Sequence, residues 1–143
     1  MKNKKTILFV CTGNSCRSQM AEGLMRKYIE KDFSIISAGL KPSTVNPQAI
    51  KAMKEINIDI SGQNSNHIDE YLDQNHEYII TVCDNAKESC PVGLSGKKNI
   101  HWSIPDPYVD GKDNDMYMPR YRSARDMLSD KISILAKLIN DGE

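Results

Sequence analysis

The sequence predicts a single α/β domain over residues 1–143, built on a four-stranded parallel sheet flanked by helices. Short apolar runs alternate with stretches of helical periodicity along the chain, which is the order of βαβ units. The first of these runs is continuously apolar rather than alternating, as in a strand buried on both faces. With 143 residues the chain suits one domain and is long enough to bury a core.

The first run is "TILFVC", residues 6–11. Residues 18–30 then place Met20, Leu24 and Tyr28 on one stripe, with Ala21, Met25 and Ile29 beside it, which predicts a helix. "FSIISAG" reads as the second strand, closed by Gly39. Asn46 before Pro47 has the form of an N-cap followed by proline at the first helical position, opening a helix through Ile56. "HIDEYLDQN", residues 67–75, is read as a further helix, "EYIITVC" as the third strand and "KNIHW" as a short fourth. From Pro119 onward Tyr121, Ala124, Leu128, Ile132, Leu135 and Ile139 recur at steps of three and four, marking a long amphipathic terminal helix. Parallel sheets of this kind bind ligands beyond the carboxyl ends of their strands. Cys11 and Cys83 close the first and third strand runs, so both fall there.

Lys plus Arg balances Asp plus Glu at 19 each, so no global charge steers the chain to nucleic acid or a membrane surface. The basic start leads into an apolar run of only five residues, Ile7 to Cys11, shorter than a signal-peptide core. No stretch approaches the ~18 apolar residues of a membrane span. The expectation is a cytoplasmic monomer. Four cysteines in a reducing compartment point to catalysis or metal binding before structural disulfides.

Residues 11–18, "CTGNSCRS", carry the chemistry. A strand–turn–helix junction offers backbone N–H groups and the positive end of a helix dipole to an anion. Gly13 and Asn14 tolerate left-handed backbone, so the N–H groups of Thr12, Gly13, Asn14, Ser15, Cys16, Arg17 and Ser18 can converge into a nest. Arg17 adds a planar fork for two oxygens of a tetrahedral anion. Cys11 lies at the mouth of that field, which favours a thiolate, and Ser18 is placed to hydrogen-bond it. A buried structural Cys11 beside an ordinary helix cap is the plain alternative. Zinc fits less well, because six residues separate Cys83 from Cys90 and Arg17 would crowd a cation. His67, His76 and His101 show no ligand spacing.

"VCTGNSCRSQMAEG" resembles the phosphate-binding loop of the low-molecular-weight tyrosine phosphatases, a flavodoxin-like fold, and of the arsenate reductases that share it. "TVCDNAKESCP" resembles the redox segment of the thioredoxin-coupled arsenate reductases. "NPQAIKAM", His101–Trp102 and Asp106–Pro107 fit the same pattern, so the likeness covers essentially the whole chain. It implies arsenic detoxification by reduction of arsenate to arsenite, with phosphate or sulfate as analogues of the substrate. Cys11 would attack arsenate, Cys83 would attack Cys11 as arsenite leaves, and Cys90 would then attack Cys83. Thioredoxin would reduce the resulting Cys83–Cys90 disulfide, and no cofactor would be tightly bound. Cys16 is read as a packing residue that lends only its backbone to the loop.

The same resemblance makes Asp106 the proton donor to the leaving oxygen, while Asp110, Asp113 and Asp115 are read as merely solvated. Pro105 stands where the family usually has an acidic residue. Some relatives bind potassium beside the loop, at positions matching Asn14, Glu22, Ser37 and Asn66, with Asn66 replacing a carboxylate. Residues 84–90 are expected to be helical when reduced and looped out when oxidised, since a disulfide cannot span that length of helix. A phosphatase acting on phosphotyrosine and a non-catalytic oxyanion-binding or redox-sensing module are the competing readings.

Overall fold

The computed structural model describes residues 5–29, 33–72, 74–83, 94, 96–108 and 115–141. Strands β1 (Lys5–Cys11), β2 (Phe33–Gly39), β3 (His76–Thr81) and β4 (Gly96–His101) form one parallel sheet in the order β2-β1-β3-β4. Helix α1 (Arg17–Tyr28) packs on it, and α2 (Pro47–Lys54) and α3 (Met118–Asn140) pack on α1 and on each other. The four-stranded parallel sheet is the one predicted.

β1 is the centre of the molecule. Ile7, Leu8, Phe9 and Val10 are fully buried, and the strand is paired on both sides. The chain leaves β1 toward β2 on one side and returns as β3 on the other. A crevice therefore opens beyond the carboxyl end of β1, where the strand order reverses. α1 lies against β1 and β2 and is in turn covered by α3, whose Tyr121, Leu128 and Ile132 are completely buried.

The helix boundaries have local causes. The Asn46 side chain accepts from the N–H groups of Gln48 (2.8 Å) and Ala49 (3.1 Å), so the predicted N-cap is formed. α2 stops at Lys54, short of the expected Ile56, because Asn57 takes a left-handed conformation (φ 64°). Residues 67–75 correct the sequence reading: among the described ones, a single 3₁₀ turn forms, Ile68–Tyr71. His67 accepts from Asp69 N–H and Glu70 reaches back to His67 N–H, which caps the turn well. Ile68 is its only buried residue, so no apolar stripe supports further turns. β3 also ends at Thr81, two residues before Cys83.

Glu55, just after α2, joins it to α3. Its carboxylate accepts from Arg122 (2.8 Å) and Arg125 (2.8 Å), and Arg125 also donates to the carbonyl of Ala52 at 2.8 Å. These hydrogen bonds, Arg122 first, hold the Glu55 carboxyl at about 2, below its ordinary 4.5. A depressed carboxyl stabilises the fold above its unfolded value and loses that contribution as pH falls toward the folded one. Wild type should therefore exceed Glu55→Gln in unfolding free energy by a constant margin above pH 4.5, and the margin should shrink toward pH 2. Urea titrations at a series of pH values check this, and a margin independent of pH would contradict it.

Candidate active site

Between β1 and α1 the chain makes the loop 12–16, and its carbonyls are all engaged on one side. Leu40 and Lys41 N–H groups donate to the carbonyls of Cys11 (3.3 Å) and Thr12 (2.8 Å), and those of Ser43 and Asn46 to Gly13 (3.1 Å) and Ser15 (3.0 Å). The Asn14 carbonyl accepts from the Gln19 amide and the Ser65 hydroxyl, both at 3.0 Å. In a trans peptide the next N–H points opposite the carbonyl. The N–H groups of residues 12–16 are thereby turned to the other side, into the crevice. Asn14 has φ 47°, the left-handed backbone expected of it, whereas Gly13 does not need that conformation.

This backbone faces a cavity of about 470 Å³, lined among others by Cys11, Gly13, Arg17, Asn46, Asp106 and Tyr108. Cys11 Sγ lies 3.0 Å from Ser18 Oγ. The Asn14 amide donates to that same oxygen at 2.8 Å, which leaves the hydroxyl proton for the sulfur. Arg17 Nη1 donates to the carbonyl of Ile104 at 3.0 Å, and its Nη2 lies 3.5 Å from Asp106 Oδ2. The Arg17 side chain is 12% exposed and that of Asp106 51%, so the guanidinium is inside the site and the carboxylate at its rim. Tyr108 N–H donates to Asp106 Oδ1 at 3.0 Å, closing the loop on itself.

Two further cysteines adjoin the loop. Cys83 is buried, with its sulfur 3.4 Å from the hydroxyl of Thr12. The structure thus brings the third-strand cysteine onto the anion loop, as the strand order requires. Cys16 is also buried; burial pushes its thiol up to about 12 against the opposing hydrogen bond of Ser15. It stays protonated, in keeping with a packing role. Cys90, the stretch 84–90 expected to be helical, Asp110 and Asp113 lie outside the described residues.

The four positions matched to potassium do come together, and several of their oxygens are engaged with one another or with Arg26. Ser37 donates to Glu22 Oε1 at 2.6 Å and Arg26 to Glu22 Oε2 at 2.8 Å. Asn66 N–H donates to Asn14 Oδ1 at 2.7 Å, and the Asn66 amide donates to the Ser37 carbonyl at 3.1 Å. The Glu22 carboxylate is paired with Arg26 as well as with Ser37, and an amide, Asn66, stands in place of a second carboxylate. Among the described residues, no group of three or more His, Cys, Asp or Glu is placed to hold a metal.

Several residues that shape the site escape sequence reasoning. A Cβ on Gly39 would lie 2.7 Å from the Thr12 carbonyl oxygen and 2.8 Å from Asn14 N, so only glycine lets β2 approach the loop. Buried Gln19 ties Asn14 to Asn64 and accepts from Gln63. The glycine closing β2 was a visible signal; two of the partners of Gln19, Gln63 and Asn64, lie 44 and 45 residues away and leave no local trace.

The fold is shared with known proteins. An arsenate reductase of Halalkalibacterium halodurans is 45% identical over 136 residues, covering 94% of this chain and 97% of that protein. The solved structure of an arsenate reductase in the phosphate binding state aligns with a TM-score of 0.80 at 32% identity, covering 94% of this chain and 98% of that one. An arginine phosphatase from Geobacillus stearothermophilus aligns at 0.78 and 27% identity, covering 96% and 94%. The model of the low molecular weight phosphotyrosine protein phosphatase family matches residues 6–142. The loop, the fold around it and these likenesses agree, and the chain belongs to the low molecular weight phosphotyrosine protein phosphatase family.

Proposed function

We propose that the protein reduces arsenate to arsenite, using its own thiols as the source of two electrons. The observation that carries this reading is the buried Cys83, brought to the anion loop from beyond β3 with its sulfur 3.4 Å from the hydroxyl of Thr12. Hydrolysis of a phosphate ester needs one thiolate and an acid; a two-electron reduction needs a thiol pair. The similarity to an arsenate reductase over nearly the whole chain supports the same reading.

Arsenate enters the nest, two of its oxygens held by Arg17 and the others by the inward N–H groups. Cys11 Sγ bonds to arsenic, and the displaced oxygen leaves as water after taking a proton from Asp106. Arsenic is still As(V) in this adduct. Cys83 Sγ then attacks Cys11 Sγ. The sulfur–arsenic bond breaks, its electron pair stays on arsenic, and arsenite leaves behind a Cys11–Cys83 disulfide. Attack by Cys90 on Cys83 frees Cys11 and leaves a Cys83–Cys90 disulfide, which a dithiol protein such as thioredoxin reduces by exchange. The chemistry requires a reducing compartment, so the cytoplasm is the proposed location. Potassium adds at most modest stabilisation, because Arg26 already neutralises Glu22.

Arsenate-dependent oxidation of NADPH, coupled through thioredoxin and its reductase, tests the whole proposal; its absence would reject it. Cys83→Ser should abolish sustained arsenate turnover while leaving hydrolysis of aryl phosphates, because Cys83 enters only after the first covalent step. Arsenate turnover at the wild-type rate in Cys83→Ser would refute the cascade.

Arg17→Lys keeps the charge and loses the planar fork. Its kcat/KM for arsenate should fall about a hundredfold or more, on the scale of losing an oxyanion-stabilising donor. An unchanged kcat/KM would mean that the fork does not seat the anion.

A further inference from the structure

We infer that Arg120 is a positioning residue that keeps Asp106 over the loop when Arg17 no longer can. The inference rests on the reading of Asp106 as proton donor. The loop 104–108 contains Pro105 and Pro107, so two of its five residues have no N–H with which to anchor themselves. Behind it, toward α3, lies a cavity of about 310 Å³ bounded by Pro105, Pro107, Pro119, Ala124 and Met127. Ile104 and Pro107 are buried, but the part of the loop that faces α3 across this cavity is not closed by side-chain packing alone. Arg120, in the first turn of α3, bridges the gap: its Nε donates to the carbonyl of Pro107 at 3.0 Å and its Nη2 to that of Asp106 at 2.8 Å.

On the opposite side Arg17 holds the loop, through the Ile104 carbonyl and the Asp106 carboxylate. The second of these contacts does not survive into the reacting state. Seating the oxyanion draws Nη2 of Arg17 away, and an Asp106 ready to give up a proton is uncharged and has lost its attraction for a guanidinium. The Arg120 bonds go to main-chain oxygens, so neither anion binding nor protonation of Asp106 weakens them. Two adjacent carbonyls match the two-pronged guanidinium, and an ammonium group cannot satisfy both in that geometry.

The test is a double-mutant cycle on single-turnover arsenite formation by the reduced, full-length protein, followed across pH. Asp106→Asn alone should slow the reaction by about 10²-fold or more and flatten its acid-dependent limb, on the scale of losing a general acid. Arg120→Gln should slow it about tenfold with the same flattening, and Arg120→Lys should restore little. In the Asp106→Asn background Arg120→Gln should cost nothing more, because there is no longer a donor to position. An additive loss, a loss confined to arsenate affinity, or no loss at all would overturn the inference while leaving Asp106 as the donor. Wild-type behaviour of Asp106→Asn would instead remove the donor, and the positioning role with it. Tm values of all variants exclude general unfolding as the cause of any loss.

Discussion

The rest of the site depends on one constraint: every carbonyl of residues 11–15 is held from outside the loop. Hydrogen bonds from Leu40, Lys41, Ser43, Asn46, Gln19 and Ser65 fix the peptide planes. The inward N–H groups are therefore in place before any anion arrives, and little reorganisation remains at the moment of reaction. The constraint also explains the burial of polar Asn14, Ser18 and Gln19, each of which is satisfied within this network. Gly39 completes it, since a larger residue would push β2 off the loop.

Chemistry follows from what the strand order places beside that loop. β1 pairs with β3 through Val10 and Thr81, and Val82 N–H donates to the carbonyl of Val10 at 2.9 Å. The chain beyond β3 is thus delivered directly to the end of β1, where Cys11 lies, and Cys83 is two residues beyond Thr81. Cys16 lines the same cavity as Cys11, but burial keeps its thiol protonated, so a third sulfur near the anion does not compete as a nucleophile.

How much of this could be read from sequence depended on the range of the interactions. Cys11, Asn14, Arg17 and Ser18 lie within eight residues, and the hydrogen bonds among them form within one turn, so their spacing revealed the loop. The Asn46 cap and the α3 stripe are likewise local patterns that the fold preserves. Residues 67–75 misled because His67, Asp69 and Glu70 form a true helix start, while the burial needed to extend it stops at Ile68. Gly39, Gln19, Ser65 and Arg120 were not read as site residues because their partners are distant in sequence. The Arg26–Glu22 pair, which bears on the potassium expectation, is by contrast a local contact between residues four apart on α1, a spacing the sequence already carried.

The central claim is that the electrons come from the chain's own sulfurs. It is tested most directly by mixing the fully reduced protein with excess arsenate and no other reductant, then counting thiols and mapping disulfides by mass spectrometry. The account predicts one arsenite per chain, loss of two of the four thiols, and a Cys83–Cys90 disulfide with Cys11 again free. An unchanged thiol count, or arsenite formed only when an external thiol is added, would contradict it.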